Sequence, residues 1–259
     1  MNRPSHESLN RMNPRIAMVT GAGRGIGRES ALLLSAAGAR VMIVARSEAE
    51  LAAVGLDYVV ADLGTAEGCA WAVRETERRL GPIEILVVNH GIGSAHERLI
   101  WEQDPAVWRE TMRINLDGPF ELARLTVGGM CQRGFGRLVF TSSTAGERAE
   151  RSGSAYSASK HGLIGLARAV AQDAGPFGVT SNAVLPGWVR TAMAERSARA
   201  ESQRRGVTVE EVWRERAALY PQKRVLEPQE VAQVIAFLCS DAAGGVNGEA
   251  VTVALGGSW

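Results

Sequence analysis

Short apolar runs alternate with longer stretches of helical character along this chain. Residues 16–19, 41–44, 58–61, 85–88, 138–140, 180–185 and 250–253 are such runs. They lack the polar–apolar alternation of a half-exposed strand, so they predict strands buried on both faces. Between them the pattern predicts helices at about 30–37, 70–80, 108–130, 155–174 and 231–238. Buried strands spaced by helices imply an α/β fold, a doubly wound parallel sheet covered by helices on both faces in three layers. From Arg190 to Arg224 strand signals fade and Arg and Glu abound, which predicts a helical insertion before the last strand. The expected organisation is a flexible tail over 1–14 and a single domain over 15–259.

Composition narrows the possibilities. The 259 residues carry 29 basic and 28 acidic side chains, so no global field favours nucleic acid. Three widely spaced cysteines without a CxxC pair argue against a disulfide framework or a zinc site, and no metal is expected. The polar tail has no apolar core of a secretory signal, and no run reaches the roughly 18 apolar residues of a membrane span. The expectation is a cytoplasmic protein with neither membrane nor nucleic-acid partner. The 29 bases divide into 27 arginines and two lysines, Lys160 and Lys223. Arginine is the default base here, so each lysine stands out.

The first run leads into Thr20-Gly21-Ala22-Gly23-Arg24-Gly25-Ile26-Gly27 and then a helical stretch. Glycines between strand and helix make a tight turn and let backbone N–H groups approach an anion at the helix N-terminus. The loop alone leaves open a helix-entry turn that binds nothing.

Tyr156 and Lys160 stand four positions apart, one turn apart on the same helix face. Only three tyrosines occur in the chain, so this pairing with one of two lysines points to chemistry. An unperturbed phenol titrates near 10, and lowering it by about three units takes about 4 kcal/mol of preferential phenolate stabilisation. A fixed ammonium supplies much of that, and its three donors also suit ribose hydroxyls. The alternative is a surface Tyr–Lys pair.

These motifs, TGxxxGxG and YxxxK, resemble the short-chain dehydrogenase/reductase family, and the rest of the chain extends the resemblance over about residues 15–259. Asp62-Leu63 follows the third run. Val88-Asn89-His90-Gly91 stands where the family reads NNAG, with Asn89 and Gly91 matching. Asn115 lies mid-helix, Ser142-Ser143 ends the fifth run, and Pro186-Gly187-Trp188-Val189-Arg190-Thr191 matches PGxVxT. The tail after Val253 lacks the aspartate of the family's VDGG.

The resemblance implies a Rossmann-like fold and hydride transfer between a nicotinamide cofactor and a ketone or secondary alcohol. It implies Tyr156 as general acid/base, Lys160 as its partner, Ser143 (or its neighbour Ser142) on the substrate carbonyl, and Asn115 linking the lysine to solvent. Gly21, Arg24, Gly25, Ile26, Gly27, Arg46, Asp62, Leu63, Asn89, Gly91, Tyr156, Lys160, Pro186, Gly187, Val189 and Thr191 are the implied cofactor contacts. The second run ends Val44-Ala45-Arg46 without a carboxylate for a ribose 2′-OH, so NADP(H) is the expected cofactor, with NAD(H) possible. Arg46, seconded by Arg24, suits a 2′-phosphate.

A helical substrate lid is expected over about 191–223, its balanced charges forming a solvated face or an anion site. The expected substrate is a small ketone or alcohol of 3-oxoacyl or carbonyl-reductase type. Positions 93, 145, 153 and 197, which would hold a carboxylate in 3-hydroxybutyrate dehydrogenases, are Gly, Ala, Gly and Ser, which favours a bulkier or less polar ketone. The alternatives are an NAD-dependent secondary-alcohol or 3-hydroxy-acid dehydrogenase and, more remotely, a non-catalytic nucleotide-sensing protein or a methyltransferase. The family's habit implies a homotetramer or homodimer through the helices bearing Asn115 and Tyr156 and through the C-terminal strand. His90, His96 and Lys223 have no assigned role.

Overall fold

A computed structural model describes residues 14–94, 98–149 and 151–257. The tail up to residue 13, His96, Ser258 and Trp259 lie outside the described residues. Seven strands occupy Ile16–Thr20 (β1), Arg40–Ala45 (β2), Asp57–Val60 (β3), Ile85–Val88 (β4), Gly136–Thr141 (β5), Val179–Pro186 (β6) and Ala250–Val253 (β7). They form one parallel sheet in the order β3-β2-β1-β4-β5-β6-β7. Every run read from the sequence is a strand, with ends displaced by no more than two residues. β1 pairs with β2 on one side and β4 on the other, with Met18 opposite both Met42 and Leu86. The winding reverses there, which opens a crevice at the strands' carboxyl ends.

Each central strand feeds two cores because successive side chains point to opposite faces. Met18, Leu86, Leu138 and Phe140 pack on one face with Cys69, Leu122 and Leu163. Ala17, Val19, Val87 and Val139 pack on the other with Leu34, Ile235 and Leu238. The covering helices are Gly25–Ala36 (α1), Glu48–Ala52 (α2), Ala66–Leu80 (α3), Pro105–Met112 (α4), Gly118–Arg133 (α5), Ser154–Ala174 (α6) and Pro228–Cys239 (α9, after the insertion). α1 begins at Gly25, five residues before the helical stretch read from the sequence, immediately at the loop glycines. α2 is too short to show a helical period and is absent from the sequence expectation.

The long helix expected over 108–130 is not continuous. A π turn at Arg113–Asp117 separates α4 from α5. Pro119 has no N–H to return to the carbonyl of Asn115, and the Gly118 N–H instead reaches the carbonyl of Arg113, five residues back. Gly118 also lies against the Leu63 carbonyl, where a methyl group would collide.

The arginine-rich insertion forms Ala192–Arg205 (α7) and Val209–Ala218 (α8). Its charges divide in two. Arg199–Glu195 and Arg205 with Glu201 and Glu215 are exposed pairs, the expected solvated face. Arg216 is buried, its guanidinium 3.6 Å from the Trp188 ring centroid. It donates to the Ala194 carbonyl at 3.1 Å, Ser197 Oγ at 3.0 Å and Glu201 at 2.9 Å. With Ala198, Val212, Trp213 and Tyr220 it builds a separate small core. Lys223 donates to the carbonyl of Ala218, the last residue of α8, at 3.1 Å. It thus caps a helix C-terminus, where a cation is favoured.

The fully buried Tyr220 hydroxyl accepts from the Trp188 N–H at 2.6 Å and fills the space a side chain at Gly187 would take. Tyr220→Phe is therefore expected to cost about 1–2 kcal/mol, since it leaves that amide without its acceptor. Urea unfolding of the variant beside the parent measures the loss.

Candidate active site

The glycine loop is shaped by its neighbours. Gly21 and Gly25 sit at φ +63° and +58°, in the left-handed region that glycine tolerates. A methyl group at Gly21 would lie 2.8 Å from the Cα of His90, and one at Gly27 would meet Asn89 Nδ2 and the Gly21 carbonyl. Asn89 donates to that carbonyl at 3.2 Å. α1 starts with no side-chain cap and no acidic residue in its first turn. Its N–H groups and dipole therefore face outward uncompensated. Thr191, the last residue of the PGxVxT segment, sets its methyl 3.3 Å from where a Cβ on Gly25 would lie. Ile26 packs partly buried against the core below the loop. The geometry is a backbone cradle that only glycines permit, open to an anion.

The turn after β4 is held to this loop by Thr20. The Thr20 hydroxyl accepts from the Asn89 N–H at 2.9 Å and lies 2.8 Å from His90 Nδ1. Burial, then the charge of Lys160, pushes the His90 pKa down to about 3. The ring is neutral, with Nδ1 hydrogen-bonded to the Thr20 hydroxyl. Its Nε2 is buried. His90 is thus a packed support beneath the loop.

Three elements meet beside Gly91. A methyl group there would lie 3.1 Å from Asn115 Oδ1 and 3.6 Å from Lys160 Nζ. The buried Asn115 accepts from the Ile92 N–H at 2.8 Å, donates to the Ile92 carbonyl at 2.9 Å, and donates to Ser159 Oγ at 3.2 Å. That amide belongs to the π turn itself. Ser159 donates to the Tyr156 carbonyl at 2.7 Å. Lys160 is 5% exposed, donates to the Thr141 carbonyl at 2.9 Å, and stands 5.7 Å from the Tyr156 ring centroid. Burial pulls its pKa down to about 8.

The two serines separate cleanly. β5 ends at Thr141, so both lie past the strand. Ser142 is buried and donates to the Lys160 carbonyl at 2.8 Å. Ser143 is half-buried, and its hydroxyl accepts from the Ala145 N–H at 3.1 Å, leaving its own proton for another acceptor.

The remaining sequence candidates fall into three groups. Pro186 ends β6, and Gly187 bonds to the Val253 carbonyl at 3.0 Å. Leu63 and Val189 turn their side chains into the core. Asp62 is exposed and accepts from the Gly64 N–H at 3.0 Å. That bond, with Arg113 alongside at 3.4 Å, holds its carboxyl below the usual range. Arg113, paired also with Glu110, was not singled out in the sequence, because 51 positions separate it from Asp62. Arg46 is exposed at the end of β2. Arg24 is ion-paired with Glu50 of α2. The end of β2 has no carboxylate of its own, and Glu50, the third residue of α2, lies against Gly23 of the loop. Among the described residues no cluster of His, Cys, Asp or Glu suits a metal, and no helix is long and apolar enough to cross a membrane.

Known proteins resemble this chain along most of its length. Residues 21–258 match the family described as Enoyl-(Acyl carrier protein) reductase. The D-beta-hydroxybutyrate dehydrogenase of Cupriavidus necator is 34% identical over 247 residues, 92% of this chain and 95% of that one. The acetoacetyl-CoA reductase of Rhizobium meliloti is 34% identical over 244 residues, 92% of this chain and 96% of the relative. A crystal structure of an actinorhodin polyketide ketoreductase variant with NADPH superposes with a TM-score of 0.87 at 33% identity, covering 94% and 98% of the two chains.

Proposed function

This chain belongs to the short-chain dehydrogenase/reductase family of oxidoreductases, and on that premise we propose that it interconverts a ketone and a secondary alcohol with NADP(H). The observation that carries the reading is the meeting of Asn115 and Lys160 beside Gly91, with Tyr156 over the lysine and Ser143 just past β5, at the carboxyl end of the sheet near its switch point. The cradle fits a pyrophosphate: its N–H groups are uncapped, and side chains at Gly21 and Gly27 would fill it. The bound cofactor supplies hydride to the carbonyl carbon.

The chain's own residues handle the oxygen. Tyr156 gives its phenolic proton to the carbonyl oxygen as negative charge builds there. Ser143 donates its free proton to the same oxygen and steadies it. Lys160, fixed on the Thr141 carbonyl, holds positive charge beside the tyrosine and favours its phenolate. Asn115 positions the turn after β4 and, through Ser159, the first turn of α6. Ser142 has its proton committed to the Lys160 carbonyl, which supports Ser143 as the substrate-facing serine.

The relatives include a reductase named for acetoacetyl-CoA and a polyketide ketoreductase, which supports a 3-oxoacyl or similar ketone as substrate. Position 93 is roofed by the Met193 thioether, and Ser197 is bonded to Arg216, so two positions suited to a carboxylate clamp are apolar or committed. That favours a neutral group over a free short-chain acid. Incubating the protein with NADPH and a panel of ketones, diketones, 3-oxoacyl thioesters and 2-enoyl thioesters tests the reading. Oxidation of NADPH by a carbonyl substrate supports it; reduction of only the enoyl compounds overturns it. Ala45→Asp puts a carboxylate at the strand end and is expected to move the NADPH-to-NADH ratio of kcat/KM by about tenfold toward NADH.

Residues 15–259 act as one unit in this reading, with α7 and α8 as the lid over the substrate, in the cytoplasm. The partly exposed Trp108 and Phe120 on α4 and α5 favour assembly through these helices into a dimer or tetramer, which sedimentation measures.

A further inference from the structure

We propose that Glu50 limits this protein's preference for NADP(H), by occupying Arg24 and placing negative charge where the 2′-phosphate must sit. The inference rests on the cofactor reading above and goes beyond it. Glu50 lies in α2, and Ser47, the cap residue of that helix, accepts from its N–H. A methyl group at Gly23 would lie 2.9 Å from Glu50 Cβ and 3.1 Å from its Oε2, so the carboxylate rests directly on the glycine loop. There it pairs with Arg24. The adenosine ribose of a dinucleotide lies between this loop and the end of β2. An acidic group there accepts from a free 2′-OH and repels a 2′-phosphate, whereas arginines do the reverse.

The site therefore holds opposed charges. Arg46 is exposed and, among the described residues, has no ion pair. Arg24 is already engaged. A 2′-phosphate must draw Arg24 away from Glu50 or be held by Arg46 while the carboxylate stays close. A 2′-OH meets Glu50 with no such conflict. Both partners of the Arg24–Glu50 pair are partly exposed, at 53% and 35% of their side chains, so exchange needs rotamer changes only and the effect is modest in size.

The test is a binding measurement. NADPH and NADH are titrated into the parent and into Glu50→Gln, following quenching of tryptophan fluorescence, at low and high ionic strength. The variant is expected to bind NADPH about three- to tenfold tighter at low salt, with NADH unchanged or weaker, and the NADPH gain is expected to shrink at high salt. Unchanged or weaker NADPH binding, or a gain that persists at high salt, overturns the proposal. Arg24→Gln in the Glu50→Gln background is expected to abolish the gain; a gain that survives shows that Glu50 does not act through Arg24 and overturns it too. The parent's own preference tests the cofactor reading, while the variant-to-parent ratio tests Glu50, so the two fail separately. Glu50 is on a short surface helix, and a matched thermal midpoint confirms that folding is unaltered.

Discussion

Tyr156→Phe is expected to lower kcat for ketone reduction by about 10³-fold or more while leaving the Kd for NADPH within about threefold. The substitution removes one oxygen and keeps the ring that lies over Lys160 Nζ. What is lost is the proton donor for the carbonyl oxygen, and a positioned general acid contributes about 10²–10⁴-fold. Ser143 remains as a hydrogen-bond donor but has no base to reload it, so it stabilises charge without completing the transfer. The measurement is steady-state reduction with saturating NADPH, alongside a fluorescence titration of the cofactor. Retained activity sinks the assignment of Tyr156. A comparable loss of NADPH affinity would instead show that the tyrosine holds cofactor and that the activity loss says little about proton transfer. Ser143→Ala in the same assay separates the two serines, because Ser142 is spent on the Lys160 carbonyl and cannot replace its neighbour.

The readable parts of this protein are those fixed by local physics. A strand buried on both faces is an unbroken apolar run, and all seven are visible as such. Tyr156 and Lys160 share one helix, where spacing alone sets geometry. The glycine loop is legible because its conformation excludes other residues. What escaped depends on contacts between distant segments or on elements too short to carry a period. Glu50 is on a five-residue helix, and nothing in the sequence brings it onto Gly23. Arg113 meets Asp62 through the fold alone. The π turn follows from Pro119 and the crowding of Gly118 against the Leu63 carbonyl, and only the first of these is written locally. Arg216 carries the same letter as its solvated neighbours on the insertion, yet it is buried under Trp188. Lys223, conspicuous by composition, is a helix cap and not part of the site. Rarity marks both lysines alike, yet one is buried beside Gly91 and Tyr156 and the other closes a surface helix, because rarity does not say what a residue faces.

Lys160→Met is expected to abolish catalysis and at the same time stabilise the cofactor-free protein by about 1–2 kcal/mol at pH 7. The ammonium is buried with a carbonyl as its hydrogen-bond partner and, among the described residues, no ion-paired carboxylate, and its pKa falls from 10.5 to about 8. A depression of that size corresponds to roughly 3 kcal/mol of charge burial, and the lost bond to the Thr141 carbonyl returns about 1 kcal/mol of it. Methionine fills a similar volume without a charge. The pH dependence identifies the cause. Below about pH 8 the lysine is protonated in both folded and unfolded chains, and the full cost rests on the folded one. Between about pH 8 and 10.5 the unfolded chain binds more protons, so the parent's stability rises with pH relative to the variant's. Above that window the lysine is neutral in both states, and the gap closes. Urea midpoints of parent and Lys160→Met at pH 7, 8, 9 and 10 measure it, and taking the difference between the two proteins removes every other titrating group. A gap that is constant across this range would mean that packing, not charge, separates the two. A gap that narrows with rising pH, together with lost turnover, would show that the fold gives up stability to keep a cation beside Tyr156.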